Sequence, residues 1–418
     1  MNILFSAGFL SSVPFANNNI EILLADTLAA KGHKCYVTGV SHDDDIYRVT
    51  SAGTVVQSWG ISRWLKESSR NFDKAVENLP QSEIRKTILK FIISHPVNAL
   101  GVFILSTGYP YKTIDKNYLK KVKKLIKAEK IDAFIGFCYP FDKAKLLFDA
   151  NLPIKKMYYQ FDPHGLHETW TVENKEQKIA DETDIISKAD NVLTTRVLAR
   201  QYSQHPSYAP YTEKIMGIDF PVLARKQPEN VEIPFDFKSE NTNILFCGTM
   251  DDGFRNPDYV LSTFEKIFEK DPSVKVYFLG PQQGVKVTQW AEKHPENIFV
   301  HPGVPNNIAV AATYKADMLL NIGNAISNMV PSKIFDYFAT GKPIVNVQKI
   351  ADAPDVEYFE KYPLQITLPE YTGDMLNDKL YEFIKTSKGS HLDFAQVKDL
   401  YYTATPEYVA SIIENALK

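Results

Sequence analysis

The stretch Asn321–Val345, NIGNAISNMVPSKIFDYFATGKPIV, gathers several groups able to hold an anion. Pro331 reads as a first helical residue, Gly341 sits just past the helix end, and Pro343 forbids continuation. A helix start presents unpaired N–H groups and about half a positive charge, which favours phosphate. Ser332 and Lys333 add a hydroxyl and a cation there, and Asp336 shares the helical face of Ser332, within reach of a ribose diol bonded to that phosphate. A nucleoside diphosphate suits this set. The same residues also read as an ordinary first turn with a solvated lysine and a surface carboxylate.

Two further strand ends offer matching chemistry. FCGTMDDGFRNP leaves a strand at Gly248 and carries Arg255 just before Pro257 opens a helix; a guanidinium there can fork onto a diphosphate, or serve the loop. VHPGVPNN offers Gly303, Val304 and Pro305 as a backbone-lined slot for a flat base, or as plain loop punctuation. In the first half, SAGFLSSVPFANNNIE contains Gly8, which permits close backbone approach, whereas Ser11, Ser12 and the Asn17 to Asn19 run also suit a turn and cap. YYQFDPHG ends a strand near Gln160 and leaves Asp162 and His164 at its mouth, and ISKADNVLTTRVLARQY presents Thr194, Thr195 and Arg196 after another strand. The acidic run of SHDDDIY, Asp43 to Asp45, resembles an acidic metal cluster, but it follows a strand in a polar loop, and no metal is expected there. No Ser-His-Asp or Cys-His set has supporting spacing.

Short apolar runs must position these groups. NILFSAG, KCYVTGV, IDAFIGF and KKMYYQF alternate with helical patterns, the rhythm of βαβ units on a parallel sheet. The rhythm restarts at NILFCGTM, which echoes the opening NILFSAGF, and runs on through PDYVLSTFEKIFEKD, VKVYFLG and IAVAATYKADMLLNIG. The resulting division is 1–220 for a first domain, 221–241 for a polar, proline-bearing linker, 242–404 for a second domain and 405–418 for a last helix. The region 61–111 breaks the scheme. It reads either as an inserted helical pair buried in the first domain or as a surface that approaches a membrane or lipid-linked substrate, with Arg85, Lys86 and Lys90 beside its apolar stretch.

The 418-residue chain exceeds one ordinary core and suits two domains. With 44% hydrophobic residues, 23% charged and a net charge of -3, it has the balance of a globular protein, and it is not basic enough for a general nucleic-acid binder. Cys35, Cys138 and Cys247 stand far apart in apolar runs and read as buried, reduced thiols. MNILFSAGFL lacks a basic leader and cleavage site, and no apolar run reaches the 18 or so residues of a membrane span. The expectation is a cytoplasmic protein, with a peripheral position at the inner face of the membrane as the alternative left open by 61–111.

RNPDYVLSTFEKI, VYFLG, IFVHPGV, YKADMLLNIGN and VPSKIFDYFATGKPIVN, in that order between Cys247 and Val347, resemble the donor domain of GT-B glycosyltransferases, nearest the retaining enzymes of family four. The resemblance implies an α/β fold of two Rossmann-like domains facing across a crevice, with the last helix crossing back to the first domain. It implies a metal-independent transfer of a sugar from a nucleotide-diphosphate sugar, with uridine diphosphate the favoured carrier and no cofactor, to a glycan or glycolipid in cell-surface polysaccharide or glycoconjugate synthesis. By the same resemblance Arg255 and Lys333 hold the diphosphate, Asp336 holds the ribose, Arg196 faces the donor phosphate and Gly8 lies on a loop near acceptor and diphosphate. His164 is the candidate for a histidine that bonds the sugar, although the commonest family spacing falls on Phe161. Asn328 stands where the family carries a second acid, and an amide bonds hydroxyls without supplying charge. That substitution keeps an inactive GT-B-like accessory subunit in view, and a GT-B-fold sugar-nucleotide epimerase, which would need acid/base carboxylates in the crevice, is a third reading.

Overall fold

The computed structural model describes the chain apart from residues 11–15, 42–44, 61–62, 77–80, 107–108, 139–140, 169–172, 227–229, 251 and 254. Ser11, Ser12, Asp43 and Asp44 therefore lie outside the described residues. Two compact units result. The first comprises Met1–Thr194, Ala199–Gly217 and Ala410–Lys418; the second comprises Thr195–Leu198 and Ile218–Val409.

The first unit is built on eight strands: β1 (Asn2–Leu10), β2 (Lys34–Ser41), β3 (Ile46–Val49), β4 (Val55–Gly60), β5 (Ala133–Phe137), β6 (Lys155–Gln160), β7 (Asn191–Thr195) and β8 (Ile215–Ile218). Their order is β3-β4-β2-β1-β5-β6-β7-β8, so the direction of winding reverses between β1 and β5. β1, β2, β4, β5, β6 and β7 pair in parallel, while β3 returns antiparallel on β4 and closes that edge. β5 is buried along its whole length, as a parallel strand covered on both faces must be. Near its carboxyl end β1 carries a bulge between Ser6 and Gly8, after which Gly8 pairs with Gly39.

The region 61–111 is not a helical pair. It holds the helices Arg63–Val76, Gln81–Ser94 and Pro96–Ser106, and a fourth, Tyr109–Ala128, begins at its end and returns the chain to β5. Pro96 opens the third of these helices instead of breaking a longer one, since a proline costs little where an N–H would have no partner. Nor is the insertion buried throughout: Leu89, Ile93, Val97, Leu100 and Phe103 are all more than half exposed.

The second unit holds β9 (Thr242–Cys247), β10 (Val274–Leu279), β11 (Ile298–His301), β12 (Met318–Ile322), β13 (Ile344–Gln348) and β14 (Gln365–Pro369), all parallel in the order β11-β10-β9-β12-β13-β14. The helix Asp258–Lys270 buries Val260, Leu261, Phe264, Ile267 and Phe268, the apolar stripe its period predicts, against this sheet. The winding reverses between β9 and β12, which opens a crevice at the carboxyl ends of those two strands.

The helix of the opening motif differs from its expected start. It spans Lys333–Phe338, with Pro331 outside it and Ser332 at the cap position without a side-chain capping bond. Pro331 thus straightens the approach and does not occupy the first turn. Gly341 lies just beyond the end at φ 72°, and Leu392 O would stand 2.0 Å from any Cβ there, so glycine is required twice over. Of the three cysteines, Cys35 and Cys138 are buried but Cys247, at the end of β9, is only partly so.

Candidate functional site

The site in the second unit is assembled from loops that leave adjacent strands at one sheet edge. Gly248 ends β9. A Cβ on Gly280, just past β10, would fall 1.9 Å from Gly248 O, so the two loops meet only because Gly280 has no side chain. Gln283 Nε2 donates to the same carbonyl at 3.2 Å. A Cβ on Gly303, past β11, would stand 2.8 Å from the backbone of Pro281. Three successive loops are therefore stacked by glycines, and this brings Gly248 and the Gly303–Val304 segment into one neighbourhood.

Lys333 and Tyr337, one turn apart, fasten the short helix to the end of β9. Lys333 Nζ donates to Cys247 O at 2.6 Å, and Tyr337 OH accepts from Cys247 N at 2.8 Å. The Lys333 ammonium also lies 3.2 Å from where a Gly248 Cβ would be, so that glycine leaves the cation its place. Burial and the neighbouring Cys247 push the Tyr337 phenol well above its ordinary value, and it stays a neutral hydrogen-bonding group.

Asp336 points into a small cavity of about 80 Å³ that Lys333, Tyr337, Thr313, Tyr314 and Lys226 also line. There it pairs with Lys226 Nζ at 2.6 Å. Asn306, which begins the helix after Gly303–Pro305, closes the same cavity. Arg255 bridges the two strands of the reversal point: Nε donates to Asn324 Oδ1 at 2.9 Å, and Nη1 donates to Thr249 O at 3.0 Å. The asparagines of the opening motif thus have separate tasks. Asn321 Nδ2 donates to Asn346 Oδ1 at 2.8 Å inside the sheet, Asn324 holds Arg255, and Asn328 is buried at 1% exposure.

Arg196 opens the helix Arg196–Gln204 and forms a two-pronged pair with the buried Asp219, Nε to Oδ1 at 2.8 Å and Nη2 to Oδ2 at 3.1 Å. Tyr358 OH donates to Asp219 Oδ1 at 2.7 Å and Thr403 Oγ1 to Oδ2. The guanidinium is thus paired with a carboxylate that two hydroxyls also hold.

In the first unit, His164 lies on the loop after β6. Its ring stacks face to face on Phe141 at 3.6 Å, and burial pushes its pKa down, against the opposing pull of Glu182. Phe161, by contrast, is 2% exposed and packs on Phe137 and Tyr159. The loop is shaped by Glu182, which is fully buried and accepts from Gln160 Nε2, His164 N at 3.2 Å, Gly165 N at 3.0 Å, Tyr202 OH at 3.1 Å and Tyr208 OH at 2.5 Å. Five donors thus converge on one buried side chain, which satisfies polar atoms that burial would otherwise leave costly. Glu182 escaped sequence reading, since nothing in KEQKIADETDIISK marks one of its acids as inward-facing.

A second overlooked acid is Asp355, 4% exposed, whose pKa burial raises to about 6 while a bond from the Asn321 amide opposes the rise. Its Oδ2 lies 3.8 Å from where a Gly323 Cβ would be, just under the loop that carries Asn324. Asp45, from the acidic run, accepts from Gly60 N at 2.6 Å. Among the described residues no group of three or more His, Cys, Asp or Glu side chains is placed to hold a metal ion. Likewise no described helix is long and apolar enough to cross a membrane.

No family model matches the chain, and no curated protein matches it by sequence. Solved structures do. The apo structure of OtsA covers 100% of this chain and 99% of its own at TM-score 0.59 and 11% identity. A glycosyltransferase from Rickettsia africae ESF-5 covers 100% and 98% at 0.58 and 12%. A putative UDP-N-acetylglucosamine 2-epimerase from Listeria monocytogenes covers 100% and 95% at 0.57 and 10%. Identities this low carry the fold and no activity, and end-to-end coverage with two parallel sheets, each reversing its winding once, gives this chain the GT-B fold of two Rossmann-like units.

Proposed function

We propose that the chain is a glycosyltransferase that moves a sugar from a nucleotide-diphosphate sugar to a glycan or lipid-linked glycan. The observation that carries this reading is the convergence of Lys333, Asp336, Gly248 and the Gly303–Val304 loop on one edge of the second sheet, at its reversal point. In this reading the diphosphate lies against Lys333 and Arg255, whose fixed charges offset the negative charge that grows on it as the sugar leaves. The Lys333 ammonium, now on a backbone carbonyl, exchanges that weak partner for phosphate. Asp336 accepts from the ribose diol once the diol displaces Lys226. The base lies along Gly303–Val304, and the Asn328 amide serves the sugar. Retention of configuration, independence from metal, uridine as the base and a role in surface glycan synthesis belong to the same proposal.

Localisation in the cytoplasm, with peripheral contact at the inner membrane face, is supported by the inserted helices. Their exposed Ile93, Val97 and Phe103 share the insertion with exposed Lys86 and Lys90, a composition suited to an anionic lipid surface.

The test is a thermal-shift series with uridine, guanosine and thymidine diphosphates, in which a ligand at a hundred times its Kd adds about 2.7 kcal/mol. Transfer from a labelled nucleotide sugar follows, with and without chelator. No stabilisation by any nucleotide defeats the reading. Binding without transfer favours the accessory-subunit alternative, which Asn328 motivates. Isomerisation of the donor sugar with no acceptor present favours the epimerase alternative, which the Listeria neighbour motivates.

A further inference from the structure

The first unit has its own cavity, of about 340 Å³, at the carboxyl ends of β2 and β4. Val40, Trp59 and Tyr118 form its apolar part, and Lys120, Lys121 and Lys124, from the helix Tyr109–Ala128, form its charged wall. We infer that this cavity binds an anionic saccharide, a sugar ring carrying phosphate or carboxylate.

The aromatic part is fixed before any ligand arrives. Tyr118 is 2% exposed, and its hydroxyl is shared with Ser6 Oγ and Thr38 Oγ1, each at 3.3 Å. Trp59 stands edge-on to Tyr118 with centroids 5.8 Å apart, and unlike Tyr118 it keeps part of its surface open. An amphipathic ring fixed at the mouth of a cavity suits a ligand with an apolar face and polar edges, which is what a pyranose presents. The volume falls within the range of small-molecule sites.

The charges define the ligand's sign. Lys121 Nζ sits 5.1 Å from the Trp59 ring centre, a contact that holds the ammonium over the cavity. Among the described residues none of the three lysines has a carboxylate within ion-pair distance, although Lys143 and Lys145 in the same unit are paired with Asp115 and with Asp149 and Asp184. Asp45 stands near the rim, but its carboxylate is taken up by Gly60 N–H. Lys120 and Lys124, one turn apart, repel each other mildly, and an anion between them reverses that cost. A solvated lysine face accounts for the charges alone; it does not account for their meeting a rigid aromatic floor at the ligand-binding edge of a parallel sheet.

The cavity's role as an acceptor site rests on the glycosyl-transfer reading, whereas binding itself does not. Calorimetric titration of the full chain with glucose 6-phosphate, glucuronic acid and glucose tests it, with uridine diphosphate at saturation to occupy the second unit. Both anionic sugars are expected to bind at least tenfold tighter than glucose, and inorganic phosphate more weakly than glucose 6-phosphate. Lys121→Ala and Lys124→Ala should each weaken the anionic sugars roughly tenfold, the scale of one charge-assisted bond, while Lys121→Arg retains them. These exposed positions leave the core intact, and circular dichroism of each variant checks that. Equal binding of glucose and the anionic sugars, or indifference to the lysine variants, overturns the inference. So does the finding that the variants lose only co-sedimentation with phosphatidylglycerol vesicles, which makes the lysines a lipid contact. Anionic sugars that bind while every nucleotide fails would leave this inference standing and strike the transferase reading instead.

Discussion

Lys333 carries the largest share of the proposed chemistry, and its environment makes the prediction specific. It is exposed and held by a single carbonyl, so Lys333→Ala should leave the melting temperature nearly unchanged. Its loss should weaken a nucleoside diphosphate by about 1.5–3 kcal/mol, as for a bond to a charged group, and leave the nucleoside untouched. Equal losses for both ligands would remove Lys333 from the phosphate. Asp355 makes a different claim. Its folded pKa of about 6 exceeds the ordinary carboxylate value, so the folded state holds the proton more tightly than the unfolded chain does. Its contribution is therefore favourable at low pH and is lost as pH rises from about 4 to about 6. Asp355→Asn, which cannot ionise, should gain stability relative to the parent across that window, by on the order of 2 kcal/mol. Urea unfolding at pH 4.5 and 7.5 measures the difference, and parallel pH profiles would contradict it.

At the scale of elements, the donor edge depends on loops that touch by omission of side chains. Gly280→Ala would drive a Cβ into Gly248 O, a backbone atom that cannot rotate away. The expected cost is about 1–3 kcal/mol of stability, the range for overpacking, together with weaker nucleotide binding because the β9 loop must shift. Stability lost without any change in nucleotide affinity would show that the stacked loops support the sheet and not a ligand. On the first unit Glu182 has a comparable task, since His164 N and Gly165 N are both spent on it. The loop that presents His164 is thereby fixed from beneath by an acid twenty positions or so further along the chain.

At the scale of the whole molecule, the last helix joins the two ends of the sequence. Pro406–Leu417 begins in the second unit, and from Ala410 onward it belongs to the first. Val409, Ala410, Ile413 and Leu417 form its buried stripe, while Ile412 and Ala416 are only partly covered. Within the first unit Glu414 pairs with His33 at 2.8 Å and with Lys31, whose ammonium holds that carboxyl below its ordinary range. Lys155 Nζ and Asn191 Nδ2 donate to the terminal carbonyls of Leu417 and Ala416 at 2.8 and 3.0 Å, the helix end where cations are favourable. Truncation after Thr405 should therefore lower the melting temperature and cost transfer activity together, with about 1.5–3 kcal/mol attached to each large apolar side chain that loses its cover. A truncated chain of full stability and activity would deny the helix any such part.

The sequence by itself determined the two-fold βαβ rhythm and the strands that carry it, though not β3, β4, β8 or β14, because those signals are local: apolar runs, helix periods, and glycine or proline at the ends. It likewise determined that Gly248, Gly303 and Lys333 would lie at strand or helix ends, since each follows directly on such a signal. Only the tertiary structure decided their company. Lys226 meets Asp336, Asp219 takes Arg196, Asn324 takes Arg255, and Glu182 gathers two tyrosines. Each of these pairings joins residues that no local period relates. The order of strands sets them, because parallel neighbours are linked by long crossovers and the loops that end side by side come from distant parts of the chain. The same reason hid Asp355 and the lysine-walled cavity: burial and convergence are properties of the packed sheet edge, and no residue carries them alone.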